Sequence, residues 1–130
     1  MPNLVLELKP GDMMVINGAS IRFRTKSRIE LLCRARFLFG RQIMAEQDAT
    51  TPARKLYHLL QTAYIGTEGE REKALAQLPA HLAPFETEAG ALPPLSVADE
   101  IRQKVKSDDF YAALKLGRGL MEREARLATP

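Results

Sequence analysis

Arg22, Arg24, Lys26 and Arg28 recur at every second position. In an extended chain, residues two apart share a face, so these four side chains crowd one side of a hairpin if the segment runs through a tight turn. Arg34, Arg36 and Arg41 continue the pattern. Cations this dense repel one another unless an anion gathers them. Phosphate is the natural one, because guanidinium presents a planar fork to its oxygens. Phe23, Phe37 and Phe39 lie among the cations and can stack on unpaired bases, as in binders of single-stranded RNA. A plainer reading stays open beside this one. The arginines then solvate an outer face and protect a sheet edge, and the phenylalanines fill a core.

The catalytic inventory is thin. His58 and His81 are far apart and belong to no ligand-spaced cluster. Glu68, Glu70 and Glu72 read as the start of a helix, where the backbone dipole favours carboxylates. Gly117-Arg118-Gly119 lacks the Lys-Ser/Thr and the preceding strand of a phosphate loop. No nucleophile, base and orienting group can be named together, so no catalytic residue, metal or cofactor is expected, and the chain does not read as an enzyme. The single cysteine, Cys33, excludes an internal disulfide and a cysteine-based zinc site. In its apolar run it reads as a small core residue.

The charge is unevenly spread. Residues 1–45 carry 8 basic and 3 acidic side chains, residues 46–130 carry 11 and 13, so the front is +5 and the rest −2. A polyanion would meet the front first. At 130 residues the chain makes one domain or two very small ones. Its hydrophobic share of 45% argues against extensive disorder. No apolar run reaches the ~18 residues of a membrane span, and Glu7 comes too early for a signal peptide; a cytoplasmic protein is expected.

Short apolar runs alternate with turn signals from Leu4 to Met44. Asn17-Gly18 between two such runs predicts a hairpin, since a type I′ turn needs positive φ at both central residues. Pro10-Gly11-Asp12 marks another turn. Ile21 and Phe23 should be the half-buried positions of a strand with a basic outer face, Phe37-Leu38-Phe39 forms a further strand, and Ile43-Met44 closes the sheet. After Ala45 the pattern turns helical. Thr51 caps a helix with Pro52 at its first position and Leu56, Leu59, Leu60 and Ala63 on one face. Thr67 and Glu70 form a capping-box pair for the next, which Pro79 kinks or divides. Residues 87–94 read as a loop. Ser96 caps a third helix, and Ser107-Asp108-Asp109 separates it from a fourth. There Gly117 and Gly119 either break the helix or admit a neighbouring backbone. The fold class is α+β: a small antiparallel β-unit over residues 1–45, then four or five helices forming a bundle over 51–130, packed together.

Leu6-Glu7-Leu8-Lys9-Pro10-Gly11-Asp12, then Val15-Ile16-Asn17-Gly18-Ala19, then Thr51-Pro52-Ala53-Arg54-Lys55-Leu56-Tyr57 resemble the FlbT family of flagellar biosynthesis regulators. Asp108-Asp109-Phe110-Tyr111-Ala112-Ala113-Leu114-Lys115 and Glu124-Ala125-Arg126-Leu127 are similar to that family's C-terminal helix. The front also resembles the CsrA type of RNA-binding β-unit. The family resemblance implies control of flagellin synthesis, mostly repression, through the 5′ untranslated region of flagellin mRNA, with the small protein FlaF as partner. It supplies no matched site residues. The RNA-binding assignment of Arg22, Arg24, Lys26, Arg28, Arg34, Arg36 and Arg41 therefore comes from charge alone. The alternative is an adaptor that holds FlaF or flagellin on its helices, with Tyr57, Tyr64, Tyr111 and Met121 as exposed anchors. Open strand edges would also allow two copies to pair.

Overall fold

The computed structural model describes residues 4–33, 35–86 and 96–128. Five strands come first: β1 (Leu4–Leu8), β2 (Met13–Ile16), β3 (Ala19–Arg22), β4 (Ser27–Leu31) and β5 (Phe37–Phe39). Four helices follow: α1 (Pro52–Ile65), α2 (Glu68–Leu82), α3 (Val97–Lys106) and α4 (Phe110–Ala128). Short 3-10 turns lie at Gly40–Gln42, Glu46–Asp48 and Ala83–Phe85. The fold is α+β, as the sequence predicts. The loop expected over residues 87–94 falls outside the described residues.

The first four strands are one long hairpin with a bend in it. Asn17 (φ 48) and Gly18 (φ 86) both take the left-handed conformation that the I′ turn needs. From that tip Ile16 faces Ala19, Met13 faces Arg22, Leu8 faces Ser27 and Leu4 faces Leu31, with no slip of register. Residues 9–12 and 23–26 interrupt the ladder equally on both sides. Pro10 and Gly11 (φ 91) make the turn, and Asp12 closes it, its carboxylate accepting the Lys9 N–H at 2.9 Å. Two hydrogen bonds, Gly11 N–H to Phe23 O and Phe23 N–H to Asp12 O, hold the two sides of the bend together. The β-unit is therefore two sheets, β1-β4 and β3-β2-β5.

Strand β5 joins this unit to the helices. It lies antiparallel to β2, with Met14 opposite Phe39, Val15 opposite Leu38 and Ile16 opposite Phe37. Leu38 is fully buried in the helical core, and Val15 packs on that core as well. Phe37 and Phe39 point to the other face, where their rings stack 6.3 Å apart. Leu6, Leu8 and Met14 are buried apart from the helical core and belong to the β-unit. Three expectations fail here. Ile43 and Met44 form no strand. Cys33 sits exposed at a bend beyond the end of β4, because the strand stops at Leu31 and turns away. Ile21 is 40% exposed, on an edge strand that among the described residues pairs with β2 alone.

The helices obey their local signals. The Thr51 hydroxyl accepts the Arg54 N–H, and Pro52 takes the first position of α1. Thr67 and Glu70 close the capping box of α2. That helix runs on through Pro79 to Leu82, so the proline does not divide it. Pro79 is exposed and falls in the last turns, and the chain then tightens into the 3-10 turn at Ala83–Phe85. The Ser96 hydroxyl accepts the Asp99 N–H at the start of α3. Asp108 (φ 59) turns the chain into α4. Helix α1 packs against α2 and α4, and α3 against α4.

Helix α4 does not break at its glycines. Gly117 faces α1, where an added Cβ would stand 3.4 Å from Leu60 Cδ1 and 3.6 Å from Tyr57 Cδ2. A Cβ at Gly119 would meet nothing within 4 Å. The two glycines should therefore respond oppositely. Gly119→Ala should raise stability by about 1 kcal/mol, the helix-propensity difference. Gly117→Leu should lower it by about 2 kcal/mol by forcing α1 and α4 apart. Urea unfolding of the two variants checks this.

Candidate nucleic-acid interface

The bend in the hairpin carries the cations. Arg22 ends β3, Arg24 and Lys26 lie in the bend, and Arg28 is the second residue of β4. All four are exposed. They do not line one continuous strand face, because the ladder breaks at residues 23–26 and leaves Arg22 and Arg28 in different sheets. What unites them is the bend itself. Register sets Arg22 opposite Met13 and Arg28 opposite Glu7. Among the described residues, Arg22, Arg24, Lys26, Arg28 and Arg41 have no ion pair within 4 Å; the pairs present are Arg102 with Glu86 and with Asp99.

The remaining cations are placed elsewhere. Arg36 lies at the hairpin tip, its backbone N–H donating to Asn17 Oδ1 at 3.2 Å and its carbonyl accepting the Asn17 N–H at 2.9 Å. Four residues of strand separate tip from bend, roughly 14 Å. Arg36 Nε is buried there without a partner. Arg41 is exposed on the 3-10 turn after β5. Arg34 lies outside the described residues. Phe23, Phe37 and Phe39 are half-buried, so their rings serve the β-unit before any base.

The four expected anchors separate. Tyr57 is 2% exposed and is a core residue, not an anchor. Its hydroxyl donates to Gln42 O at 2.7 Å, and the Arg118 guanidinium lies 5.9 Å from its ring centre. Tyr64 is half-buried and stacks on Phe110 at 5.9 Å, with Arg71 over the same Phe110 ring. Met121 is half-buried against the core. Burial corrects all three, since each lies on the face that its helix turns toward a neighbour. Tyr111, 53% exposed, remains available. It borders a small notch with Lys115 and Arg118.

Two polar contacts between distant segments escape a sequence reading. Gln61 is 6% exposed, and its side chain accepts the Met44 N–H at 2.8 Å and donates to Met44 O at 3.0 Å. It thereby clamps the chain that leaves β5. Glu124, near the end of α4, accepts the Ala53 N–H in the first turn of α1. The only sequence signal for Gln61 is an amide next to an apolar helical stripe. A cleft of about 270 Å³ lies between the hairpin tip and α1, lined by Gly18, Ser20, His58, Gln61 and Glu70 among others. Bonds from the Thr67 backbone N–H and hydroxyl hold the Glu70 carboxyl below its usual pKa. The folded chain thus holds this group ionised to lower pH than the unfolded chain does. The cap's contribution is complete above the ordinary glutamate range and is lost as pH falls through the lowered value.

Among the described residues no three His, Cys, Asp or Glu side chains group as metal ligands, and no helix is long and apolar enough to cross a membrane. Fold and site thus define a small α+β protein that presents unpaired cations on a bent hairpin carried by a helical platform. The chain belongs to the FlbT family: the family model described as flagellar protein FlbT matches residues 4–128. It is 35% identical to the probable flagellum biosynthesis repressor protein FlbT of Mesorhizobium japonicum, over 95% of this chain and 83% of that one. Proteins of the same name from Brucella anthropi (34%, covering 97% of this chain and 82% of the relative) and Allorhizobium ampelinum (32%, covering 95% and 83%) are similarly related. No solved structure matches the chain. The resemblance read from the Lys-Pro-Gly-Asp, Ile-Asn-Gly-Ala and Thr-Pro-Ala-Arg-Lys segments is correct.

The Gln61 clamp can be tested alone. Gln61→Leu leaves the Met44 N–H and C=O without partners and should cost about 2 kcal/mol in chemical denaturation. Amide exchange at Met44 should accelerate by more than that global loss explains.

Proposed function

We propose that this protein regulates flagellum biosynthesis, mostly as a repressor, by binding the 5′ untranslated region of flagellin mRNA and promoting its translational repression or decay. The relatives' name, probable flagellum biosynthesis repressor, supports the regulatory role. The observation that carries the RNA step is the set of exposed, unpaired cations at the hairpin bend, Arg22, Arg24, Lys26 and Arg28. Phosphate contacts from these groups supply affinity, and unpaired bases of the leader supply specificity. Repression then needs no chemistry: occupying the ribosome site or opening the transcript to a nuclease suffices. The protein acts in the cytoplasm, where the transcript is.

A second reading has its own support. Tyr111 is exposed on α4, and an apolar-lined hollow beside Ala112, Lys115 and Leu116 continues that surface toward α3. FlaF or flagellin held there would make the chain an adaptor whose effect on the transcript is indirect.

Filter binding of the full chain to flagellin leader RNA, at two salt concentrations and with or without FlaF, separates the readings. Direct binding should weaken steeply with salt. Arg22→Ala with Arg24→Ala should flatten the salt slope by about 0.7 per lost phosphate contact on a single strand. RNA affinity unmoved by salt and by both substitutions, with FlaF binding intact and lost on Tyr111→Ala, would favour the adaptor.

A further inference from the structure

Among the described residues four strands leave an edge open: β1 and β4 flank one sheet, β3 and β5 the other. An unpaired edge offers its N–H and C=O groups to another strand. We propose that two copies of this chain associate through β4, antiparallel about a two-fold axis at Ile29, joining two β1-β4 ribbons into one four-stranded sheet.

Charge selects this edge and this register. A two-fold axis perpendicular to a sheet keeps each face continuous, so it must pass beside a residue that then meets its own copy. An axis at Arg28 would set Arg28 on Arg28, and an axis at Glu30 would set Glu30 on Glu30. An axis at Ile29 sets Arg28 of each copy against Glu30 of the other, and Ser27 against Leu31. Opposite charges directly across a ladder stabilise it, and like charges destabilise it. Within its own ribbon Arg28 already faces Glu7. The pairing would place it between two carboxylates, Glu7 beside it and Glu30 of the second copy.

No other open edge has this self-complementarity. Strand β1 carries Glu7 as its one charge, β3 carries Arg22, and β5 carries none. Among the described residues β4 pairs with β1 alone, and both its charged side chains, Arg28 and Glu30, are exposed. Exposed apolar residues gather at the same ribbon. Leu4 and Val5 are 49% and 43% exposed, and Leu32, directly after β4, is 78% exposed. In the Ile29-centred register Leu32 lies across from Lys26 of the second copy, whose aliphatic stem can cover it. Five residues per strand is a small contact beside the ~1,200 Å² of stable interfaces, so the dimer forms in a concentration-dependent equilibrium. It holds whether or not the cations at the bend meet RNA.

Sedimentation velocity of the full chain over a concentration series tests this without RNA. The wild-type protein should shift from monomer to dimer. Glu30→Arg should weaken association about tenfold, since it turns two attractive cross-strand pairs into repulsive ones. That substitution sits opposite Val5 and leaves the β1-β4 ladder free of like charge. Arg28→Glu, combined with Glu7→Arg so that its own ladder keeps an opposite pair, should weaken self-association similarly, and an equimolar mixture of the two variants should recover it, each supplying the charges the other lacks. Circular dichroism confirms that both are folded. A wild-type chain that stays monomeric throughout would overturn the proposal. So would a dimer indifferent to Glu30→Arg, which would place the interface elsewhere.

Discussion

The alternation of side chains along three residues, Phe37-Leu38-Phe39, holds the two halves of this molecule together. In a strand, neighbours must point to opposite faces. Leu38 enters the helical core and is 1% exposed there, so its neighbours are forced the other way, onto the β2 face that carries Met14. One short strand thereby belongs to both parts at once. Gln61 reinforces the join by bonding both backbone groups of Met44, so the chain leaving β5 is tied to α1 before the first helix begins. Sliding β5 by one residue would put an aromatic ring into the helical core and Leu38 among the rings.

That join leaves the long hairpin free to project its bend. The hairpin tip is committed: Asn17 bonds to Arg36, and Gly18 lies against Thr67 at the start of α2. The bend at residues 9–12 and 23–26 is held by its own turn chemistry and faces outward. Four cations of residues 1–45, Arg22, Arg24, Lys26 and Arg28, lie at or beside this bend, while 13 of the chain's 16 carboxylate side chains belong to residues 46–130. Close ionic partners would have lowered the field there. Their absence among the described residues keeps four cations available to a polyanion.

Much of this was legible residue by residue. Asn17-Gly18 specified a I′ turn because few other pairs tolerate positive φ twice in succession. Thr51-Pro52, Thr67 with Glu70, and Ser96 with Asp99 specified helix starts because their side chains satisfy the first free N–H groups. The cationic stretch was visible as charge, although its geometry was not. A period-2 reading assumes an unbroken strand, and the bend at residues 23–26 breaks it.

Failures occurred where a residue's role depends on a distant neighbour. Tyr57 reads as a flank residue on α1, yet Gly117 of α4 makes room beside its ring and Gln42 receives its hydroxyl. Cys33 reads as core only if β4 continues past Leu31. Pro79 reads as a break, but near a helix end only one turn depends on the missing N–H. Local conformation, caps, turns and the charge imbalance were determined by the sequence alone, because each is settled within about four residues. Which faces met, which tyrosine stayed outside and where the hairpin folded were decided by tertiary structure. Those outcomes depend on contacts between segments tens of residues apart, and no local spacing encodes them.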